Sequence, residues 1–378
     1  MWKVKSSVYV GMFKGFLLDL PTPSNINYLY GFGVSLGFVY VVQLVSGIVL
    51  SLFYKIGPEG SFWEVVYIMQ EVSGGWVVRF VHSAGVSVFF ICLYLHLFRG
   101  LIYGSFVKTK VWLSGIVILF MVMAASFLGY VLLWGSMSYW GMTVVTSMLG
   151  AVPYVGEGLM VWLWGGESAS VGTLSRFFSL HYLISLAIMV AAVYHMFELH
   201  EDGSSNPLGV SSNSDKIVFH ESFSYKDVLG LMMIVVVYWG LVLVLPYGLM
   251  DSANFEEVSF MKTPLYIKPE WYFLFVYCIL RSVASKLGGV VMMLMAIGGL
   301  AVLVWGGGGV YRKVGSIYWK ILIGIYSVSF VVLTLMGGEV VEYPFEGIGV
   351  VFSWVYFSSL SIMSLVVASG GFVEEGCV

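Results

Sequence analysis

The sequence predicts an all-α polytopic membrane protein with eight transmembrane helices. Of its 378 residues, 59% are hydrophobic and only 10% are charged, and the mean hydropathy is +0.93. An ordinary globular domain carries about 25% charged residues. The apolar residues form repeated runs of about 20, the length that crosses a bilayer as a helix. The net charge is −3 and no basic run occurs, so we expect no nucleic-acid partner.

Eight apolar runs have the required length. They lie at 32–53, 75–98, 112–134, 173–198, 228–247, 288–308, 318–337 and 347–368. Two long connections, 135–172 and 248–287, contain shorter apolar pieces with Trp, Tyr and Gly, which predicts interfacial or re-entrant helices. We expect two parts: 1–205, in which the first four spans form a bundle, and 206–378, with the last four spans.

The distribution of basic residues predicts the orientation in the membrane. An even number of spans puts both chain ends on one side, and taking that side as the inner one places eleven of the 18 basic residues there. This bias agrees with the positive-inside rule. The eleven are Lys3, Lys5, Lys14, Arg99, Lys108, Lys110, Lys216, Lys226, Arg312, Lys313 and Lys320. The second and fourth spans then both run from the outer to the inner surface.

The N-terminal segment differs from a targeting sequence. Its first 25 residues contain three lysines but no cleavable apolar core, and they are not rich in arginine. Signal peptides have a cleavable apolar core, and transit peptides are rich in arginine. We therefore expect a mature N-terminus.

Four histidines recur at matched intervals within the second and fourth spans. His82 and His96 are fourteen residues apart, as are His181 and His195. Fourteen helical residues rise about 21 Å and return nearly to the same face. Ionisable side chains inside a membrane usually have partners. Because the two spans run in parallel, we expect His82 to face His181 near the outer surface and His96 to face His195 near the inner surface.

Glycines repeat the same interval in the first and third spans. Gly33 and Gly47 are fourteen residues apart, and so are Gly115 and Gly129. These two spans run in the opposite direction, so Gly47 and Gly129 should lie at the outer pair of histidines, and Gly33 and Gly115 at the inner pair. Glycine lets a large flat ligand approach the backbone closely.

Paired imidazoles at two levels predict two haems in a four-helix bundle. A single histidine in a membrane is as often a hydrogen-bonded packing residue as a ligand, but four at matched intervals favour ligation. Structural zinc takes four protein ligands, whereas each level offers two imidazoles, the axial set of a b-type haem. Cys92, Cys278 and Cys377 form neither CxxC nor CxxCH, so we expect binding by coordination alone.

Two arginines flank the histidines near the membrane surfaces. Arg79 precedes His82 by three residues, and Arg99 follows His96 by three. Guanidinium groups bind carboxylates bidentately, so these side chains could bind haem propionates. The alternative is interfacial anchoring of the helix by snorkelling.

Candidate proton-transfer groups follow on both sides of the bundle. On the inner side His200, and beyond it His220 and Asp227, could exchange protons with a redox-active ligand; a solvated loop with an acid at a helix start would look the same. On the outer side Glu270 follows Pro269 and precedes an apolar stretch. It could be a helix-start acid or a partly buried carboxyl with a raised pKa.

Five motifs resemble the cytochrome b family of respiratory bc1 complexes. They are PSNINYLYGFG at 23–33, GYVLLWGSMSYWGMTVVTSML at 129–149, GTLSRFFSLHY at 172–182, LHEDGSSNP at 199–207 and KPEWYFLFVYCILRS at 268–282. Together with the four histidines they cover nearly the whole chain, and the resemblance is weakest after about residue 310.

This resemblance implies a quinol–cytochrome c reductase subunit with two haems and two quinone pockets. His82 and His181 would bind the low-potential outer haem, and His96 and His195 the high-potential inner haem. The outer, quinol-oxidising pocket would be bordered by Glu270, Tyr272, Tyr130, Gly141 and Tyr277. The inner, quinone-reducing pocket would be bordered by His200, Ser204 and Asp227, with Lys226 nearby.

The resemblance also implies partners and a location. Ubiquinol oxidised at the outer pocket would give one electron to the Rieske iron–sulfur protein and one to the outer haem, with proton release outside and proton uptake inside. Cytochrome c1, other bc1 subunits and a second copy of the chain would complete the complex. The equal histidine intervals favour bc1 over b6f, and we expect the mitochondrial inner membrane, with a bacterial plasma membrane as the alternative.

Two positions depart from the family pattern, and two other functions remain open. Leu133 stands where the family usually has proline, and Glu198 where it usually has an apolar residue. Glu198 could alter proton uptake or quinone contacts, or could simply face water.

A proton-coupled secondary transporter would use histidine and glutamate as relays without haem. A di-haem reductase of another fold would bind haem but lack sensitivity to inhibitors of both quinone pockets.

Overall fold

The computed structural model describes residues 14–15, 18–57, 59–306 and 316–369. Within these ranges eight helices are long and apolar enough to cross a membrane, which confirms the predicted fold class. The chain is thus a multi-pass membrane protein. Some positions used above lie outside the described residues: Lys3, Lys5, Arg312, Lys313, Cys377 and the last two residues of the predicted 288–308 span.

The first four spanning helices pair antiparallel. They are α1 (Phe32–Ser51), α3 (Gly75–Ile102), α4 (Thr109–Val131) and α7 (Val171–Asp202). Helix α1 packs mainly on α3, and α4 mainly on α7. Ser170 and Thr173 together cap the start of α7. The Ser170 side chain accepts from a backbone N–H in the first turn, and the Thr173 side chain accepts from the backbone N–H of Ser170. This cap fixes the start of the helix that carries His181 and His195.

The remaining spanning helices pack against this bundle. They are α8 (Ser224–Leu243), α10 (Lys286–Gly298, continued by a 3-10 segment Gly299–Gly306), α11 (Ile317–Gly337) and α12 (Phe345–Ala368). Helix α8 begins and ends four residues earlier than the 228–247 predicted. Pro246 explains the early end, since proline lacks the N–H and disfavours helix at the preceding residue.

Short helices occupy both long connections, as predicted. Helices α5 (Ser136–Ser147) and α6 (Gly156–Trp164) lie between α4 and α7, and α9 (Leu274–Arg281) precedes α10. Two other elements have no clear signal in the sequence and were not predicted. These are helix α2 (Phe62–Gln70), between α1 and α3, and a two-stranded antiparallel sheet of β1 (Pro21–Pro23) and β2 (Lys216–Val218).

Buried aromatic side chains join the two halves of the chain. Trp112 of α4 donates its indole N–H to the Leu300 carbonyl at 2.9 Å, and Trp319 of α11 donates to the Leu101 carbonyl at 3.1 Å. Both rings are almost fully buried. Each bond satisfies a polar group that lipid could not, so these contacts orient the second half against the bundle.

Candidate functional site

The structure brings the four histidines together in two pairs at two levels. The ring centroids of His82 and His181 are 6.2 Å apart, and those of His96 and His195 are 6.4 Å apart. A metal held axially by two imidazole nitrogens at about 2 Å each places the ring centroids about 6 Å apart. Both pairs have the spacing for one iron between two rings.

The ring nitrogens are oriented by neighbouring helices. In three histidines Nδ1 lies beside an oxygen: His82 at 3.0 Å from Ser46 Oγ, His195 at 2.9 Å from Ser114 Oγ, and His181 at 2.8 Å from the Ala125 carbonyl. Both serine hydroxyls donate to carbonyls within their own helices, so their oxygens accept from Nδ1–H. A proton on Nδ1 leaves the Nε2 lone pair available for a metal.

His96 has a different neighbour. Its Nδ1 lies 3.1 Å from Nη2 of Arg99, a group that can only donate. The Arg99 guanidinium also lies over the Tyr30 ring, 4.9 Å from its centroid, and its buried Nε has no hydrogen-bond partner. A buried cationic donor without an acceptor fits a carboxylate-bearing ligand at this level.

The four glycines lie directly against the imidazoles. A methyl group at Gly129 would approach Cε1 of His181 to 2.6 Å, and one at Gly47 would approach Cε1 of His82 to 2.9 Å. At the inner level the corresponding distances are 3.2 Å for Gly115 to His195 and 3.6 Å for Gly33 to His96. The glycines therefore make room first for the imidazole rings, more strictly at the outer level.

The donor set fits haem better than zinc. Among the described residues, no group of three or more His, Cys, Asp or Glu side chains could hold a metal ion. Each level has two imidazoles, a histidine-facing glycine on each of two further helices and, at the inner level, a partnerless guanidinium nitrogen. These features fit a flat macrocycle with two axial ligands and acidic side groups.

A cavity of about 660 Å³ joins the outer histidines to Glu270. Its lining includes His82, His181, Arg79, Tyr130 and Glu270. The outer pair of histidines and the candidate quinol pocket thus share one space. Gly141 and Tyr277 are not among the described residues that line it.

Glu270 is a partly buried acid whose side chain does not cap a helix. It precedes the 3-10 turn Trp271–Phe273 but makes no side-chain capping bond. Burial raises the pKa of its carboxyl to about 7, and the hydrogen bond with Tyr130 and the charge of Arg79 oppose that rise. Of the two interpretations left open by the sequence, the geometry favours the partly buried carboxyl.

Helix α3 holds the segment that follows Glu270. Trp271 donates its indole N–H to Ser87 Oγ at 3.0 Å, and the Tyr94 hydroxyl donates to the Tyr272 carbonyl at 2.5 Å. The rings of Phe90 and Tyr272 stack with centroids 4.1 Å apart. Ser87, Phe90 and Tyr94 lie on one face of α3 between its two histidines, a helical spacing that could have indicated this contact.

Tyr277 and Gly141 do not line the cavity that contains Glu270. The Tyr277 hydroxyl donates to the Ile267 carbonyl at 3.0 Å, Arg281 lies over its ring, and burial raises its pKa. Gly141 lies on α5, with no atom within 4 Å of the place where a Cβ would stand. Their placement at a quinone pocket stays a prediction.

The inner candidate residues lie at the ends of two spanning helices that follow one another in the chain. His200 is in the last turn of α7 and Ser204 follows that helix, while Lys226 and Asp227 are in the first turn of α8. Asp227 Oδ1 lies 3.0 Å from the place of a Cβ on Gly31, and Lys226 Nζ lies 3.4 Å from the carbonyl of Ile26. His220 is exposed and lies beside Ser224 Oγ at 3.1 Å.

Two family models match the sequence over most of its length. "Cytochrome b/b6/petB" matches residues 17–203, and "Cytochrome b(C-terminal)/b6/petD" matches residues 257–357. The chain belongs to the cytochrome b family. Membership makes it the cytochrome b subunit of a quinol–cytochrome c reductase, the catalytic core of respiratory complex III, and implies b-type haem, quinone and other bc1 subunits. The resemblance seen in the sequence is confirmed.

Relatives and a solved structure agree with this membership. Cytochrome b of Leptorhynchoides thecatus is 54% identical over 365 residues, covering 95% of this chain and 97% of that one. Cytochrome b of Apis mellifera ligustica is 44% identical over 338 residues, covering 89% and 88%. A chain of a hyperthermophilic respiratory Complex III superposes with a TM-score of 0.89 at 26% identity, covering 96% and 98%.

The departure at Leu133 from the cytochrome b family pattern leaves the helix end intact. Helix α4 ends at Val131, and the Leu133 N–H lies 3.4 Å from the Tyr130 carbonyl, a bond that proline could not donate. The Leu132 carbonyl accepts hydrogen bonds from the hydroxyls of Tyr54 and Ser61, at 2.8 and 2.6 Å. Backbone contacts therefore hold this end of the helix without proline.

Glu198, the second departure from the cytochrome b family pattern, does not face water. It is only 6% exposed and lies 3.2 Å from the ammonium of Lys110 on α4. Of the interpretations left open by the sequence, simple solvation of Glu198 is wrong. Its charge is instead held against the neighbouring helix of the bundle.

Proposed function

We propose that the first four spanning helices bind two b-type haems by coordination alone. His82 and His181 would hold a low-potential outer haem, and His96 and His195 would hold a high-potential inner one. The observation that carries this proposal is the pairing of the imidazoles at 6.2 and 6.4 Å between ring centroids. When bound, the haems supply one-electron transfer across the membrane.

The surrounding residues orient and accommodate the haems. Ser46 and Ser114 hold Nδ1 of two ligands, so that Nε2 points toward the opposite ring. The glycines leave room for the imidazoles and the macrocycle; they are Gly33, Gly47, Gly115 and Gly129. Arg99, and Arg79 at the outer level, bind propionates, in support of which Arg99 Nε is buried without a partner.

The outer pocket oxidises ubiquinol. Glu270 accepts a proton from the quinol hydroxyl, and Tyr130 and Tyr272 border the ring, with Gly141 and Tyr277 at the edge of the pocket. A carboxyl whose pKa is about 7 suits proton acceptance near neutral pH. The cavity that Glu270 shares with His82 and His181 supports electron transfer over a short distance.

The inner pocket reduces quinone and takes up protons from the inner side. His200 and Asp227 deliver the protons, and Ser204 and Lys226 border the pocket. Their positions at the end of α7, which carries His195, and at the start of α8 support this assignment. Release of protons outside and uptake inside together produce net proton translocation.

The complex is a homodimer in the mitochondrial inner membrane, with the Rieske iron–sulfur protein and cytochrome c1 as partners. The chain divides into the bundle part, 1–205, and the part with the last four spans, 206–378. Support comes from 54% identity to cytochrome b of Leptorhynchoides thecatus and from the likeness to a respiratory Complex III chain.

The purified complex tests this function through its haem spectrum. We expect a b-type α-band in the reduced-minus-oxidised spectrum and two b haems per copy of this chain. We also expect quinol oxidation to be sensitive to inhibitors of both pockets. Absence of the band would contradict the cytochrome function and favour the haem-free transporter. Two haems without sensitivity at both pockets would favour a di-haem reductase of another kind.

A further inference from the structure

Four polar contacts join the inner ends of α4 and α7. We call them the inner polar ladder: Ser114 Oγ with His195 Nδ1 at 2.9 Å, Lys110 Nζ with Glu198 Oε2 at 3.2 Å, Lys108 Nζ with the carbonyls of Asp202 and Gly203, and Ser105 Oγ with Ser205 Oγ at 3.1 Å. The four contacts follow one another in order along two antiparallel segments of the chain, 105–114 and 195–205. The ladder therefore connects the inner histidine to the loop that bears Ser204.

The ion pair in this ladder is strongly asymmetric in exposure. The side chain of Glu198 is 8% exposed and that of Lys110 is 66% exposed. Tyr194 lies one turn before Glu198 on the same helix, α7. The lysine can reach water without the pair, whereas a buried carboxylate that loses its cation keeps an uncompensated charge.

The helix ends add to this electrostatic arrangement. Glu198 pairs with Lys110, which lies in the first turn of α4, where the helix dipole favours negative charge. Lys108 donates to the last carbonyls of α7, where the dipole favours positive charge. Each helix thus supplies the charge that stabilises the end of the other.

The ion pair lies one turn from the inner histidine. Glu198 follows His195 by three residues, and Lys110 precedes Ser114 by four. Residues three or four apart are neighbours on a helix face, so the ion pair and the Ser114–His195 contact form adjacent rungs between the same two helices. Because Glu198 is buried, an unbalanced charge there is weakly screened and acts on the inner histidine pair from one helical turn away.

We propose that Glu198 and Lys110 form a positioning ion pair that holds α7 to α4 beside His195 and keeps the inner histidine pair free of an uncompensated negative charge. The proposal rests on the proposed haem ligation. Lys110 is the partner that matters for the midpoint potential of the inner haem, because its loss leaves the buried charge of Glu198 uncompensated. Loss of both charges leaves none.

Redox titration of the inner haem tests the ion pair. In Lys110→Met the midpoint of the high-potential haem should fall, because an unpaired carboxylate favours the oxidised iron. The midpoint of the outer haem should stay unchanged. Adding Glu198→Gln to Lys110→Met should restore the inner midpoint. Lys320→Met is the matched control, since Lys320 is an exposed lysine in the first turn of α11, and it should shift neither haem.

Each outcome decides between the ion pair and the haem ligation. An unchanged inner midpoint in Lys110→Met, or an equal shift in Lys320→Met, would overturn the ion-pair proposal while the haems remain. If Lys110→Met fails to accumulate, recovery of the haem-loaded protein by the added Glu198→Gln supports the proposal, and continued loss overturns it. Absence of haem from the unaltered complex would instead overturn the proposed function.

Discussion

At the scale of single residues, the four glycines differ in how closely each approaches a histidine ring. A methyl group at Gly129 would lie 2.6 Å from the imidazole of His181, whereas one at Gly33 would lie at an ordinary 3.6 Å from His96. The matched fourteen-residue intervals suggested four equivalent positions. The distances show that the outer level tolerates added volume least.

Gly129→Ala should therefore reduce haem at the outer level. The added methyl must displace the His181 ring or the helix, at a cost of about 1–3 kcal/mol. We expect fewer than two haems per chain, with the low-potential component lost in a redox titration. Gly33→Ala should keep both components, and so should Gly324→Ala on α11, where an added Cβ meets open space. Equal haem loss in Gly129→Ala and Gly33→Ala would contradict this ranking.

The carboxyl of Glu270 should set the pH dependence of quinol oxidation. Burial raises its pKa to about 7, so the proton-accepting, ionised form is scarce below that pH and abundant above it. The rate should rise as the pH increases through about 7 and then level off. Glu270→Gln should slow the reaction on the order of 10²-fold and flatten this rise, with unchanged haem spectra. A variant that keeps both the rate and the pH profile would show that Glu270 accepts no proton.

The histidine pairs could be predicted from the sequence, but not all of the residues next to them. The pairing of His82 with His181 and of His96 with His195 followed from equal intervals in parallel helices. The contact of Arg99 with His96 and the burial of Glu198 against Lys110 could not follow. The first depends on the rotamers of two side chains on α3, and the second also depends on the rotation of α7 relative to α4.

At the scale of elements, helix α3 serves both the histidines and the Glu270 segment. Its Phe90 and Tyr94 hold Tyr272 by ring stacking and by a hydrogen bond to the backbone. The same helix carries His82 and His96. One rigid element therefore fixes the position of the Glu270 segment relative to His82, the outer histidine that α3 carries.

Tyr94→Phe tests this contact. It keeps the ring but leaves the buried Tyr272 carbonyl without its donor, which should lower the free energy of unfolding by about 1–3 kcal/mol. Quinol oxidation should slow because Glu270 is less firmly positioned, with both haems retained. Tyr326→Phe is the control, since it removes a comparably buried hydroxyl that donates to Tyr356 at 2.6 Å. Equal slowing in both variants would point to general loosening.

Element limits were predictable where hydrophobicity alone decides them. The eight long apolar runs predicted the eight spanning helices, although α8 begins and ends four residues early. Helix α2 and the β1–β2 sheet were missed because they are short and depend on tertiary contacts. The strand Pro21–Pro23 pairs with residues nearly 200 positions away, a contact without a local signal.

At the scale of the whole molecule, two levels of histidines span the bundle and each has its own candidate pocket. About 21 Å of helix separates the levels, and the outer one opens into the cavity of Glu270. The division at residue 205 stays a prediction. Trp112, Trp319 and Tyr94 form hydrogen bonds across it. The two parts thus act as one packed body.

Redox titration of the complex with His82→Ala tests the two-level arrangement most directly. The unaltered complex should titrate as two b haems with distinct midpoints. His82→Ala should remove the low-potential component and keep the high-potential one, because His96 and His195 lie at the other level. Loss of both components, or of neither, would contradict the two separate haem sites on which the account depends.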